Sequence, residues 1–498
     1  METLNAILLV LISIILLIYL YLRHTYSYWK SRNFPFVEPA LLYGNMKGFG
    51  KVHQAFIIQE LYKKFRAGGY KVAGMYFLIL KTVLIIDPEV IKNVLVKDFN
   101  YFHDRGMYND EKSDPLSAHL FSIGGQQWRN LRAKLSPTFT SGKMKLMFNT
   151  IIDIAKDLDK TLHKNYSDKH CEIEVKDILA RFTTDVIGTC AFGIDLNTLE
   201  NPESEFRKKS VLAFQLTIWQ NIRFIVISIF ENISKKIGAK VTHPVVEEFF
   251  MRITRETVDY REKNNVQRND FMNLLLEIKN NEKDPEQSIT FNELAAQCFI
   301  FFLAGFETSS STMSFCLYEL ALNEDVQEKL RDEINAAIEK NDGKITYELI
   351  SSITYLDNVI NETLRKYPPV DNLFRTTNKD YAIPGTDLTI EKGTMVMVPS
   401  FALHRDPEYF PDPERFNPDR FLPENGIRPY TFLPFGEGPR NCIGSRFGMM
   451  QTRIGLITVL RSFKMSPSKN TQIPLQIAAD ASILAAVGGI YLNFEKIE

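Results

Sequence analysis

Cys442 stands in the stretch LPFGEGPRNCIGSRFG, residues 433–448, between Arg440 and an apolar run that reads as a helix. A lone cysteine is usually a small buried hydrophobe; the alternative is a thiolate kept for chemistry. The setting suits the second. A helix N-terminus offers unpaired N–H groups and a favourable dipole to a thiolate, and Gly436 and Gly438 permit the tight turn that would hold it. Gly444 lets a flat ligand approach the backbone, and Arg440 offers a planar donor to a carboxylate. A nucleotide phosphate loop is excluded, because Pro439 follows the second glycine and no GxGxxG spacing occurs. The other cysteines, Cys171, Cys190, Cys298 and Cys316, are scattered with no CxxC pair, which excludes a zinc cluster or disulfide framework and points to a reducing compartment.

Three more groups carry side chains that chemistry could use. AGFETS, residues 304–309, combines small residues with Glu307 and Thr308. Gly305 would leave room for a diatomic ligand, Glu307 could deliver protons, and Thr308 could donate a hydrogen bond; equally, the threonine could bond its own helix carbonyl and the glutamate face water. In NETLRKYPP, residues 361–369, Glu362 and Arg365 lie one helical turn apart. In WRNLR, residues 128–132, Trp128 and Arg132 share a helix face.

The elements that must position these groups are mostly helical. Residues 288–323 read as one long helix, with Thr290 and Glu293 as a capping box and an apolar run from Cys298 to Gly305 that predicts burial on all sides. Residues 70–87 and 388–400 alternate as strands with turn glycines between them. Residues 404–424 hold so many prolines that an ordered meander or loop is expected, and residues 279–288 form a polar link. The fold class expected is mainly α with a small β part, in a single catalytic domain.

Ala6 to Leu22 holds one polar residue, Ser13, and no charge, and spans roughly 26 Å as a helix. Arg23, His24, Lys30 and Arg32 follow it, an arrangement that fits a membrane anchor with the rest of the chain on the cytoplasmic side. The division expected is an anchor at 1–23, a linker at 24–40 and the catalytic domain at 41–498. With 59 Lys and Arg against 60 Asp and Glu, the bulk charge gives no sign of a nucleic-acid partner.

Phe435, Gly438, Arg440, Cys442 and Gly444 match FxxGxRxCxG, and by this signature the chain resembles the cytochrome P450 family. The resemblance implies that Cys442 is the proximal thiolate ligand of a haem b iron, and that AGFETS is the oxygen-activation segment with Glu307 and Thr308 catalytic. It further implies that Trp128, Arg132, Arg375 and Arg440 bind the haem propionates, with Phe435 and Gly444 beside the cofactor, and that Glu362 and Arg365 form a structural triad with Arg415 of the PERF motif, residues 413–416. The pocket would draw on the loop 102–121, with Phe102 and His119, and on Phe301, Phe302, Ala304, Val370 and Leu484. FTSGKMK (139–145) and AFGIDLNTLENPESEF (191–206) look most like the insect family 6 type. The dense proline hinge usual in microsomal members is replaced by Pro35 and Pro39 alone.

The expected activity is a membrane-anchored monooxygenase that oxidises lipophilic small molecules, plant toxins and insecticides or else hormones and pheromones, with O2 and NADPH-derived electrons. With no flavin or nucleotide motif in the chain, the implied partners are NADPH–cytochrome P450 reductase and, as a second donor, cytochrome b5. Arg129, Lys134, Lys143 and Lys145 are candidates for the docking patch, or merely a solvated face. The apolar run 224–230 either dips into the bilayer or packs internally. The location implied is the endoplasmic reticulum membrane, facing the cytoplasm; glycosylation of Asn232 or Asn361, each in a sequon, would contradict it. A reductase-independent haem-thiolate isomerase or dehydratase and a non-enzymatic haem-based binder also fit Cys442 alone, although the Glu307–Thr308 pair argues for oxygen activation.

Overall fold

In the computed structural model, which describes residues 2–165, 171–214, 218–280 and 288–497, helices carry most of the chain and short strands the rest, as the periodicity predicts. The polar link at 279–288 lies for the most part outside the described residues. The elements that bear on the site are, in chain order, helix α1 (Glu2–Tyr26), strands β1 (Val72–Phe77) and β2 (Leu80–Ile85), helices α2 (Gly125–Leu135), α3 (Val175–Ile187), α4 (Phe291–Leu322) and α5 (Thr354–Lys366), strands β3 (Leu373–Thr376) and β4 (Met395–Val398), and helix α6 (Ser445–Ser462).

The four strands form one sheet in the order β1-β2-β4-β3. β1 and β2 are an antiparallel hairpin, β2 and β4 run parallel, and β3 returns antiparallel to β4 with Arg375 opposite Val396. The β1–β2 turn contains no glycine: Leu78 takes the left-handed conformation there, at φ 55°. Gly74 instead lies inside β1, where a Cβ would come within 2.4 Å of the Trp29 ring. Trp29 is 1% exposed and donates from Nε1 to the Met75 carbonyl at 3.0 Å. Together with Phe34 it belongs to the core around this sheet, so the segment 24–40 is packed onto the body and is no free tether.

α1 is exposed along almost its whole length and is the single helix, among the described residues, that is long and apolar enough to cross a membrane. α4 begins at the expected capping box, with Thr290 Oγ1 accepting from Glu293 N at 3.0 Å and Glu293 reaching back to Thr290 N at 2.9 Å. It then runs through the larger of two hydrophobic cores, flanked by α3 and α6. Its burial is not uniform. Cys298, Phe299 and Phe302 are buried, but Ile300, Phe301 and Leu303 are half-buried and Ala304 is exposed in mid-helix. An exposed alanine in the centre of a core helix marks an internal opening, which the unbroken apolar run could not reveal.

Candidate active site

The helix that follows the Cys442 loop packs on α4 beside this opening, with Gln451 of α6 donating to the Gly305 carbonyl at 2.7 Å. Cys442 N donates to the Phe435 carbonyl at 2.8 Å and Gly436 N to the Leu433 carbonyl at 3.1 Å, which closes the hairpin. Gly438 adopts φ 74° and is pressed so close to the helical segment Asn93–Lys97 that a Cβ would fall 1.9 Å from the Leu95 carbonyl oxygen. At Gly444 a Cβ would meet nothing within 4 Å, so no protein contact demands glycine there and the backbone faces open space. Of the five free cysteines, Cys190, Cys298 and Cys316 are buried and Cys171 is half-buried, while Cys442 is exposed. Its thiol is accessible yet enclosed by protein, so burial pushes its pKa up against the pull of the Gly444 N–H and of Arg132 and Arg105. The helix terminus alone therefore does not produce the thiolate; a metal ion bound to sulfur would.

Four guanidinium groups cluster at this loop. Arg440 is buried with its guanidinium 4.2 Å from the Trp128 ring centre and one nitrogen donating to the Ile123 carbonyl at 2.6 Å. Arg132 donates to the Asn441 carbonyl and side chain at 3.1 and 2.9 Å. Arg375, buried on β3, donates to the Phe374 carbonyl at 2.7 Å. The sequence reasoning named these three and missed the fourth, Arg105, which donates to the Arg440 and Phe121 carbonyls at 3.1 and 3.0 Å. Asp104 approaches Arg440 at 3.7 Å, but its carboxylate already accepts from Gly125 N at 2.6 Å and Asn378 at 2.7 Å and pairs with His103 at 2.8 Å.

Positive charge here is thus under-compensated. Arg440 Nε and Nη1 and Arg375 Nε are buried without a protein partner. Burial, then Arg375, pulls Arg440 down to about 9; burial pulls Arg375 down to about 10; and Arg105 falls well below its ordinary value through burial and the fields of Arg375 and Arg440. Values lowered by folding mean that folding disfavours the charged forms. That cost is full at neutral pH and eases only as pH rises through about 9 to 10. A ligand bearing two carboxylates would remove it, so the residues present fit a flat, metal-bearing dicarboxylate seated on Cys442.

The oxygen-activation candidates of α4 divide between the two readings, with Thr308 bonding its own helix carbonyl and Glu307 turned away from water. Gly305 faces α3, where a Cβ would lie 2.4 Å from Ile187 Cδ1; its role is helix packing, and Ala304 is the small residue at the opening. Thr308 spends its hydroxyl proton on the Ala304 carbonyl at 2.6 Å, which leaves its oxygen as an acceptor. Glu307 neither points to solvent nor stands free: Lys176 of α3 pairs with it at 2.9 Å, and also donates to Ser310 Oγ and Ser311 Oγ at 2.7 and 2.9 Å. Lys176 lies 131 residues away in sequence and carried no motif, so sequence spacing could not signal it.

The predicted buried triad needs one correction. Glu362 and Arg365 are both fully buried and joined by two bonds, at 2.7 and 2.9 Å. Arg415, expected as the third member, is exposed. Arg420 takes that place, with Nε 3.3 Å from Glu362 Oε1. The meander contains PERF at 413–416 and PDRF at 418–421, and the second copy brings its arginine inward.

Several pocket expectations also change. Phe102 is fully buried in the smaller core, edge-on to Tyr381 at 4.8 Å, and Phe302 is buried among Phe192, Phe206 and Phe250. Leu484 is 1% exposed, packed beside Pro369. None of the three presents surface to the opening. Ala304 does, Val370 is 42% exposed, Phe301 is half-buried with its ring held edge-on by Phe271 at 4.3 Å, and His119 is half-buried. Of the docking candidates, Lys145 is paired with Glu348 and Lys134 donates to the Ser288 carbonyl at 2.7 Å, leaving Arg129 exposed and Lys143 half-buried.

Residues 35–494 match the family model for cytochrome P450. The chain belongs to the cytochrome P450 family. It is 44% identical over 496 residues to cytochrome P450 6a2 of Drosophila melanogaster, which covers 97% of each chain. It is likewise 44% identical over 486 residues to cytochrome P450 6A1 of Musca domestica, covering 96% of this chain and 95% of that one. Cytochrome P450 6a8 of Drosophila melanogaster is 43% identical over 503 residues, covering 98% of each. This P450 is accordingly an oxidoreductase of the monooxygenase type whose relatives are insect family 6 members, and membership implies a haem cofactor, O2 and electrons from a redox partner.

Proposed function

We propose that this P450 inserts one oxygen atom of O2 into lipophilic small molecules at the opening between Cys442 and Ala304, with electrons passed from NADPH–cytochrome P450 reductase or cytochrome b5. The observation that carries the reading is the exposed Cys442 thiol beside a cluster of four arginines, two of which keep buried nitrogens without a protein partner. Cys442 would hold haem b through its sulfur, Arg105, Arg132, Arg375 and Arg440 would hold its two carboxylates, and Trp128 would pack on Arg440. When bound, the haem iron supplies the oxygen chemistry, and the thiolate favours O–O cleavage. Thr308 would accept a hydrogen bond from a proton carrier in the opening, and Glu307, paired with Lys176, would take up a proton from water or from the ammonium and pass it on.

The substrates we infer are apolar xenobiotics such as plant toxins or insecticides, as suits a pocket that draws on Ala304, Phe301 and Val370. α1 would anchor the protein in the endoplasmic reticulum membrane with the catalytic domain in the cytoplasm. Phe224, Val226 and Phe230, at 36%, 47% and 51% exposure, would meet the bilayer, so that lipophiles enter from lipid.

Purified protein supplied with NADPH and reductase should give oxygenated products from a panel of lipophiles, read by mass spectrometry. Thr308→Ala should lower the product formed per NADPH about tenfold or more while NADPH is still consumed. Haem-loaded protein that consumes no NADPH with any compound would instead favour an isomerase or a binder. Because Lys176 holds Glu307 in place, Lys176→Met should also lower product per NADPH about tenfold, within what a positioned acid contributes, and Lys176→Arg should retain most of it. Equal coupling in Lys176→Met and the parent would show that the ion pair has no part in proton delivery.

A further inference from the structure

Asp104 stands where the segments that carry the arginine cluster meet. Its Oδ1 accepts from Gly125 N, the first residue of α2, at 2.6 Å and from His103 Nδ1 at 2.8 Å, and its Oδ2 accepts from Asn378 Nδ2 at 2.7 Å. Its backbone carbonyl accepts from Thr376 N, the last residue of β3, at 2.8 Å. α2 carries Trp128 and Arg132, β3 carries Arg375, and Arg105 follows Asp104 directly in the chain. The fourth arginine, Arg440, lies 3.7 Å from Oδ1.

Two glycines make room for this arrangement. Gly124 is the N-cap of α2 and brings no side chain to cap it. A Cβ there would lie 2.6 Å from Asp104 Oδ1, so the carboxylate fills the place that a capping side chain would take. Gly106 adopts φ 68°, and a Cβ there would lie 2.2 Å from Thr376 Oγ1. α2 is therefore capped, and its dipole met by a negative charge, from outside its own sequence. Burial pushes the Asp104 carboxyl up, but the Gly125 N–H, His103 and Asn378 outweigh it and hold the group below the ordinary carboxylate range.

A carboxylate beside an arginine ordinarily closes onto the guanidinium as a forked pair. Here three shorter bonds hold Asp104 back from Arg440, whose Nε and Nη1 stay without a protein partner. Asp104 thus fastens the segments together and leaves those nitrogens to a ligand.

We propose that Asp104 is a positioning residue for the cofactor, fixing α2 and β3 against the Arg105 segment so that the guanidinium groups are already in place when the two carboxylates of haem arrive. The proposal rests on the reading of the cluster as the haem carboxylate site and adds a residue that acts through the arginines. Arginines ordered beforehand need not be ordered at the moment of binding, and groups that orient the residues holding a ligand are typically worth about 10- to 100-fold in affinity.

The test follows the transfer of haem from full-length, haem-loaded protein to an excess of apomyoglobin, beside the urea midpoint of each variant. Asp104→Ala should release haem about tenfold faster or more. Asp104→Asn should stay within about threefold of the parent, because its amide oxygen still accepts from Gly125 N, and Asn378, whose Oδ1 is buried without a partner, can turn its amide to accept the new N–H. Gly124→Ala keeps Asp104 but sets a methyl against its carboxylate; it should speed haem release in the parent and add nothing in the Asp104→Ala background. Asp185→Ala is the control, since this buried carboxylate likewise accepts from two backbone N–H groups, of Thr198 and Leu199, outside the arginine cluster; it should lower the urea midpoint and leave haem release unchanged.

Haem release that tracks the urea midpoint in every variant, Asp185→Ala included, would mean that Asp104 only supports the fold. Unchanged release in Asp104→Ala and Gly124→Ala would mean that the arginines are ordered without it, and an Asp104→Asn protein as leaky as Asp104→Ala would mean that charge and not fastening matters. Each result overturns the proposal. Should Asp104→Ala fail to fold, Gly124→Ala against Asp104→Asn decides in its place. Release no faster from Arg375→Ala and Arg440→Ala than from the parent removes the reading of the cluster itself, whereas leaky arginine variants beside an unaffected Asp104→Ala remove the proposal alone.

Discussion

Cys442→Ala should abolish product formation while leaving the polypeptide folded. Sγ is the one exposed thiol of the chain, and its backbone is held by the Phe435 carbonyl rather than by its side chain, so deletion of sulfur disturbs little packing. What is lost is the ligand. Groups that merely orient a metal ligand are worth 10- to 100-fold in affinity or activity, so loss of the ligand itself should exceed about 100-fold. The four arginines remain, and a dicarboxylate cofactor should still associate, more weakly and without a thiolate signature. Haem content after gel filtration, the absorption spectrum of the reduced carbon monoxide complex and product yield separate these effects. A variant that keeps the thiolate spectrum or more than a tenth of wild-type turnover would show that sulfur at 442 is not the axial ligand.

The strongest local signals in the sequence were the ones that survived contact with the structure. The capping box at Thr290 and Glu293 is a two-way hydrogen-bond pattern set by residue type at fixed spacing, and α4 begins there. The cysteine loop is likewise local, since its turn follows from glycines whose positive φ other residues avoid. Side-chain direction was less legible. Phe301 and Phe302 are adjacent in the sequence, but a helix turns them about 100° apart, one toward Phe271 and the other into the aromatic core. Periodicity cannot rank those faces when both are apolar. Long-range partners were invisible for a different reason. Lys176 and Arg105 have no motif of their own, and only the packing of α3 on α4 and of the loop 102–121 on the cysteine loop gives them their partners, a carboxylate for the first and the Arg440 carbonyl for the second. Gly305 shows the converse error, where a motif glycine was given a ligand-facing role and packing against Ile187 accounts for it.

The exchange of Arg415 for Arg420 can be turned into the second large effect. Glu362 is fully buried and accepts from Arg365 Nε and Nη2, from Asn417 N at 2.9 Å and from Arg420 Nε at 3.3 Å. Arg365 in turn donates to the His404 carbonyl at 3.0 Å, and Arg420 donates to the Pro411 and Asp412 carbonyls. One carboxylate thus ties α5 to both ends of the meander that precedes the cysteine loop. Glu362→Ala leaves two desolvated guanidinium groups without a counter-charge, a change that typically costs about 3–5 kcal/mol. That is a large fraction of a marginal stability of roughly 5–15 kcal/mol, so little folded protein should accumulate. Because such a variant cannot be purified for melting, the discriminating pair is on the meander. Arg420→Ala should lower the unfolding free energy by about 2–4 kcal/mol, measured by urea denaturation of haem-loaded protein. Arg415→Ala, at an exposed position, should stay within about 0.5 kcal/mol of the parent. If Arg415→Ala proves as damaging as Arg420→Ala, the inward arginine is the wrong one, and the first PxRF copy of the meander holds the scaffold after all.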